Sequence, residues 1–198
     1  MKINSDIDIK IEGQHCLKCN STKVERVFKD GKTYYFCNSC GATEERSLVI
    51  DNAVNWWIDE EKNYWHESTG AIILNEKGKW LVVMRAIFPF AYALPAGHVD
   101  KGEDPLIVIR RELIEEIGLE IPKEDFRFVK KFHLPGDSCR RGSDHHLWHL
   151  YLVKINSEKE TLQLNDEASS FRWLKPEEIK SRNDIVYPLK YILENIEI

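Results

Sequence analysis

The segment GHVDKGEDPLIVIRRELIEEIGL, residues 97–119, is the most informative in the chain. Asp104 is a suitable N-cap, Pro105 suits the first helical position, and Gly118 suits the residue that ends a helix. These signals predict a helix over about 104–117. Its apolar residues recur at helical spacing and would be buried along one side: Leu106, Ile109, Leu113 and Ile117.

Three glutamates of this helix, Glu112, Glu115 and Glu116, are spaced so that they project from one face. Carboxylates this close repel one another. Oxygen ligands that converge on one point suit Mg²⁺ or Mn²⁺, which would relieve the repulsion. An acidic, solvated surface helix is the alternative that the cluster alone leaves open.

The full spacing resembles the box of the Nudix hydrolases, G-x5-E-x7-R-E-U-x-E-E-x-G-U, where U is a bulky aliphatic residue. Every defined place is filled, by Gly97, Glu103, Arg111, Glu112, Leu113, Glu115, Glu116, Gly118 and Leu119. The resemblance extends over residues 67–198, through ALPAG at 93–97 and FRWLKPEEI at 171–179. It implies an α/β fold, an α/β/α sandwich around a mixed sheet.

The resemblance also implies roles for particular residues. Metal ligands would come from Glu112, Glu115, Glu116 and the carbonyl of Ala96. Arg111, at a catalytic-box position, is expected to form a buried ion pair with Glu103 that holds the loop against the helix.

The implied reaction is attack of water on phosphorus, with a cation on the diphosphate and a carboxylate as general base. Glu167, just before the FRWL strand, lies where relatives supply a further ligand or base. The base is therefore Glu116 or Glu167, and a solvated loop position for Glu167 stays open.

Outside the box, the pattern predicts strands near 71–74, 80–85, 126–133, 147–155 and 169–174, and helices from Pro176 and over 188–196. We expect a small module over 1–45, an aromatic connector over 46–66 that lies against the next domain, and the Nudix domain over 67–198.

The small module contains two CxxC pairs, with Asp30-Gly31 as a hairpin turn between them. Their spacing predicts a structural Cys₄ zinc site formed by Cys16, Cys19, Cys37 and Cys40. Zinc would stabilise a module too small to fold unaided. The fifth cysteine, Cys139, is expected to be an incidental thiol. A zinc ribbon before a Nudix domain resembles the NADH pyrophosphatase branch, but the SQPWPFPxS motif of that branch is absent.

Substrate contacts are expected from Arg140 and Arg141, which could grip phosphate, and from Tyr92, which could stack on a base. A solvated loop and core packing are the respective alternatives. The histidines at 145, 146 and 149 are expected to occupy an ordinary strand face or to bind substrate, although zinc or catalytic roles remain open.

The net charge of −5 argues against strong nucleic-acid binding. No apolar run is long enough for a bilayer span, and residues 1–14 lack a signal-peptide core. We expect a cytoplasmic protein without membrane contact, and the resemblance suggests a homodimer.

These observations predict a Mg²⁺-dependent pyrophosphohydrolase that cleaves a nucleoside-diphosphate-linked compound such as ADP-ribose, NADH or FAD. The alternatives are a nucleoside triphosphate pyrophosphohydrolase and a nucleic-acid-binding regulator with a nucleotide-sensing Nudix domain.

Overall fold

The computed structural model describes residues 12–157 and 161–198. Residues 1–11 of the expected small module and 158–160 of the expected Nudix domain lie outside these ranges. The strands are β1 (Gly13–His15), β2 (Val24–Lys29), β3 (Lys32–Cys37), β4 (Thr43–Glu44), β5 (Leu48–Ile50), β6 (Trp56–Ile58), β7 (Tyr64–Leu74), β8 (Trp80–Arg85), β9 (Tyr92–Ala93), β10 (Ala96–His98), β11 (Arg127–Pro135), β12 (His145–Lys154) and β13 (Ala168–Leu174). The helices are α1 (Pro105–Ile117), α2 (Pro176–Lys180) and α3 (Tyr187–Asn195).

An eight-stranded mixed sheet forms the centre of the larger domain. Its main path is β11-β12-β7-β8-β13, with β6 and β10 paired to β7 and β9 paired to β8. The β12–β7 pair is parallel and the other pairs are antiparallel. The long central strand β7 therefore pairs both with a strand that precedes it in the sequence, β6, and with strands that follow it, β8, β10 and β12.

Side chains alternate between the two faces of the sheet, because the repeat of a strand is two residues. Ile72 and Val82 lie in the core with α2 and α3, whereas Ala71, Ile73 and Leu81 lie in the core with α1. Each face is thus covered by helix. The predicted α/β/α sandwich around a mixed sheet is confirmed.

The N-terminal module forms a three-stranded sheet, β2-β3-β4, whose hairpin turns at Asp30-Gly31 as predicted. Both turn residues have positive φ, 51° and 73°, as a two-residue hairpin turn of this hand requires. The N–H of Thr33 donates to the carbonyl of Ala86 at 3.2 Å, so the hairpin contacts the larger domain.

The aromatic connector is part of the larger fold. Trp57, in β6, pairs with Trp65 of β7, and the two rings stack with centroids 5.8 Å apart. Strand β7 itself begins at Tyr64, inside the expected connector. Over the described ranges, the helices are too short and too polar to cross a bilayer.

Candidate active site and metal centres

Helix α1 begins and ends as the sequence predicts. The side chain of Asp104 accepts a hydrogen bond from the N–H of Leu106 at 2.9 Å, and Pro105 occupies the first turn. Gly118 ends the helix with φ 69°, and its N–H donates to the carbonyls of Leu113 and Ile114. The buried side of the helix consists of Val108, Ile109, Leu113 and Ile117. Burial of this side fixes the rotation of the helix, so the acidic side faces the loop that precedes it.

Two glutamates of α1 contact the strand that precedes the loop. The N–H of Ala96 donates to Oε2 of Glu116 at 3.3 Å. A Cβ at Gly97 would overlap the side chain of Glu112, so Glu112 can lie here only because residue 97 is glycine. Glu115 is more exposed, at 55%, and all three glutamates line one cleft with Ala96. The cleft encloses a cavity of about 350 Å³.

The carboxylates of the cleft disfavour each other's ionisation. Burial raises the pKa of Glu112 to about 7, and the neighbouring charges of Glu115 and Glu167 act in the same direction. Burial raises the pKa of Glu116 to about 8, with Glu112 and Glu167 adding to it and Arg85 opposing it. A divalent cation between these oxygens would favour the ionised forms, so the residues fit Mg²⁺ or Mn²⁺.

Arg111 forms the expected ion pair with Glu103, at 3.2 Å, and a second pair with Asp100 at 3.3 Å. It also lies 3.4 Å from Glu112 and 3.8 Å from Glu115. The expectation that the pair is buried is wrong, because the side chains of Arg111 and Glu103 are 36% and 40% exposed. Arg111 therefore positions the loop and the glutamates from the rim of the cleft.

The structure brings Glu167 to the box glutamates from far along the chain. Its Oε1 accepts a hydrogen bond from Nη2 of Arg140 at 3.0 Å. Arg141 pairs with Asp51 at 3.2 Å, and both arginines and Glu167 line the cleft. Both candidates for the general base, Glu116 and Glu167, thus face the same space.

The loop that carries the two arginines is held by the connector. The N–H of Ser47 donates to the carbonyl of Arg140 at 3.1 Å, and the N–H of Val49 donates to that of Arg141 at 3.0 Å. Ser47 and Val49 therefore fix the backbone at both arginines, which supports binding roles over a freely solvated loop.

Arg85 is a charged residue of the cleft that the sequence analysis missed. It ends β8 with Nε buried and without a hydrogen-bond partner among the described residues, while Nη2 donates to the carbonyl of Phe88 at 3.2 Å. Its charge acts on Glu116 and Glu167. A cation at the end of the apolar run WLVVMR was the available signal.

Tyr92 does not reach the cleft. It is 4% exposed, belongs to the core on the α3 side, and its hydroxyl accepts a hydrogen bond from Nε of Arg172 at 2.7 Å. The guanidinium of Arg182 covers the ring at 4.8 Å. The ring therefore packs in the core, and the predicted stacking on a base is wrong in this structure.

The four ribbon cysteines converge as their spacing predicts. The sulfurs of Cys16 and Cys40 are 3.7 Å apart, and those of Cys19 and Cys37 are 3.6 Å apart. All four lie within 4.8 Å of one another, and none forms a disulfide. Zn–S bonds of about 2.3 Å give a tetrahedral edge of about 3.8 Å, so the cluster fits zinc.

Comparisons with known proteins identify the family of the chain. The family model described as the NUDIX domain matches residues 65–195. The chain belongs to the Nudix family. It is 27% identical to Nudix hydrolase 26, chloroplastic, of Arabidopsis thaliana over 58% of this chain and 60% of that protein. It is 29% identical to nucleoside triphosphatase NudI of Salmonella heidelberg (strain SL476) over 50% of this chain and 72% of that protein.

A solved structure has the same fold. It is a bifunctional NMN adenylyltransferase/ADP ribose pyrophosphatase from Francisella tularensis, complexed with AMP and a manganese ion. The TM-score is 0.54 at 22% identity, over 65% of this chain and 40% of that one. This likeness agrees with the α/β/α sandwich described above.

Proposed function

We propose that this Nudix protein hydrolyses the diphosphate of a nucleoside-diphosphate-linked compound, such as ADP-ribose, NADH or FAD, to a nucleoside monophosphate and a phosphorylated product. The observation that carries the proposal is the composition of the cleft. Box glutamates line one side, whereas Arg85, Arg140 and Arg141 come from other segments and line the same cavity.

This arrangement suits a substrate with a charged diphosphate and two substituents. Glu112, Glu115, Glu116 and the carbonyl of Ala96 would hold Mg²⁺ or Mn²⁺. When bound, the cation neutralises charge on the phosphate oxygens and lowers the pKa of bound water. Arg140 and Arg141 offer guanidinium groups that can bind phosphate oxygens bidentately.

In the proposed reaction, a water oxygen forms a bond to phosphorus while the bond from phosphorus to the bridging oxygen breaks. The proton of the water passes to a carboxylate, either Glu116 or Glu167, and the two products leave as phosphates. Glu167 is the better-placed acceptor if Glu116 is a metal ligand, and Arg140 orients it. The fold excludes neither assignment.

A second candidate is hydrolysis of a nucleoside triphosphate with release of pyrophosphate. The similarity to NudI, which is named a nucleoside triphosphatase, favours it. The two candidates differ in what fills the far side of the cleft, since a dinucleotide needs space and contacts for a second nucleoside or sugar.

The test compares kcat/KM with Mg²⁺ for ADP-ribose, NADH, FAD and the nucleoside triphosphates. We expect one diphosphate-linked substrate to exceed the others by at least about tenfold, which corresponds to about 1.4 kcal/mol. A preference of that size for one triphosphate would establish the second candidate. No Mg²⁺-dependent turnover of any substrate by folded protein would contradict both.

A further inference from the structure

A cluster of three histidines and one cysteine lies beside the active site. It draws on four separate segments, with one residue from β7, one from β10, one from β12 and one from the loop before β12: His66, His98, His146 and Cys139. We call it the Cys-His₃ cluster. One ligand atom of each residue lies within 4.8 Å of those of the others. Cys139 is therefore not the isolated thiol that the sequence suggested.

The sheet dictates the convergence. His146 is directly opposite His66 in the parallel β12–β7 pair, and His98 lies in β10 on the other side of β7. The ring centroids of His66 and His98 are 4.7 Å apart, and His146 lies 5.6 Å from each. The turn before β12 brings Cys139 over these rings.

We propose that the chain binds a second zinc ion in a tetrahedral site formed by His66, His98, Cys139 and His146. The distance from Sγ of Cys139 to Nδ1 of His66 is 3.6 Å. A tetrahedral ion with a Zn–S bond of about 2.3 Å and a Zn–N bond of about 2.05 Å separates sulfur from nitrogen by about 3.6 Å. This sulfur–nitrogen pair thus already has the spacing of a zinc shell, and the other ligand atoms lie within 4.8 Å.

A buried polar atom in the cluster has no other partner. Nε2 of His98 is inaccessible to solvent and makes no hydrogen bond within the described part of the chain. His66 and His146 are only 1% and 2% exposed. An unpaired imidazole nitrogen in such a position is costly, whereas a metal bond would satisfy it.

A buried aspartate, Asp137, orients one of the proposed ligands. Nδ1 of His146 makes its hydrogen bond with the backbone carbonyl of Asp137 at 3.0 Å. It also lies 3.0 Å from Oδ2 of Asp137, which accepts a hydrogen bond from Nε1 of Trp148 at 2.8 Å. With its Nδ1–H donated to Asp137, His146 presents the lone pair of Nε2. Zinc-binding histidines commonly donate their second ring N–H to a backbone carbonyl or a carboxylate in this way, which also raises their basicity.

The donor atoms distinguish this site from the carboxylate site of α1. Imidazole nitrogen and thiolate sulfur favour zinc over magnesium, whereas the box glutamates offer the oxygen ligands that magnesium prefers. Four protein ligands close the coordination shell, so the proposed ion is structural and leaves no place for water or substrate.

The proposed ion would fix the arginine loop. Cys139 directly precedes Arg140, whose side chain donates to Glu167. The backbone N–H of Cys139 donates to the carbonyl of Ser143 at 2.9 Å, within the same loop. Bound zinc would tie this loop to β7 and to β10, the strand that contains Gly97. The site would thus hold the two sides of the cleft at a constant separation.

The test measures the number of zinc ions per chain by inductively coupled plasma mass spectrometry, after loosely bound metal has been removed. We expect about two zinc ions in the wild type, one in the ribbon and one in the Cys-His₃ cluster. Cys139→Ser and His98→Asn should each retain about one. His133→Asn changes an exposed histidine whose ring packs against Trp65; it is the matched control and should retain both.

Anomalous diffraction at the zinc edge from wild-type crystals keeps the proposal testable if the variants fail to fold. We expect one peak among the ribbon sulfurs and a second among the four residues of the Cys-His₃ cluster. A single zinc ion per chain at the ribbon would overturn the proposal, as would two zinc ions retained in folded Cys139→Ser and His98→Asn. Neither result depends on catalytic activity.

Discussion

The Cys₄ cluster of the ribbon and the carboxylate cluster of the cleft both gather side chains that repel one another when ionised. In the ribbon the ligands come from two short CxxC segments of a small module, half of them exposed. In the cleft they stand on α1, whose opposite side is buried in a large core. We therefore expect the ribbon to need a metal in order to fold, whereas the folded domain already brings the carboxylates of the cleft together.

Removal of one ribbon sulfur should have the largest effect. Cys19→Ser should unfold the ribbon, because structural zinc supplies about 10–16 kcal/mol of binding free energy in small zinc modules. Hydrogen-exchange mass spectrometry should show loss of protection in β2 and β3 but not in β7. Ser39→Ala, in the other CxxC segment, is the control and should leave protection unchanged. Protected ribbon strands in zinc-free Cys19→Ser would show that the module folds without metal.

Neutralising a cleft carboxylate should instead abolish chemistry and spare the fold. Glu116→Gln should lower kcat by at least about 10²-fold, the range of a lost base or metal ligand. Circular dichroism should remain that of the wild type, since the change removes a carboxylate that is costly to bury. Glu124→Gln, an exposed glutamate outside the site, should match the wild type. Comparable turnover in both variants would mean that Glu116 has no catalytic role.

The arginine loop should show an intermediate effect. Arg140→Ala removes a charged hydrogen bond to Glu167, worth about 1.5–3 kcal/mol, so kcat/KM should fall by about 10- to 150-fold. Arg127→Ala changes an exposed arginine at the start of β11 and should have no effect. If both variants keep wild-type kcat/KM, Arg140 neither binds substrate nor positions Glu167.

The smallest predicted effect concerns the protons bound by the carboxyl groups of Glu112 and Glu116. Burial raises the pKa of Glu112 to about 7 and of Glu116 to about 8, so the metal-free folded protein holds protons that an unfolded chain would release. Its free energy of unfolding should therefore fall as pH rises from about 5 to about 8.

Mg²⁺ must displace the same protons. Calorimetric titrations in buffers of different ionisation enthalpy should show proton release at pH 6 that diminishes towards pH 9. Glu112→Gln should release fewer protons than the wild type at pH 6. Binding at pH 6 without proton release would show that the two carboxyls are already ionised.

The sequence predicted those parts of the protein whose residues are close along the chain. The caps of α1, its three acidic positions and its buried side follow from helical spacing. The Cys₄ cluster follows from two CxxC pairs, and the main strands from short apolar runs. A local pattern is informative in these cases because backbone geometry alone converts sequence separation into distance.

Other features depended on the tertiary structure. The pairing of His146 with His66 arises only because β12 lies parallel to β7, and no local pattern encodes which strands become neighbours. The same packing turns Arg85 into the cleft and Tyr92 into the core. It also leaves Arg111 and Glu103 partly exposed at the rim. The sequence by itself thus determined the family, the box helix and the convergence of the four ribbon cysteines. The assembly of the sheet decided which distant side chains share the cleft, because contacts across strands depend on register and topology rather than on separation along the chain.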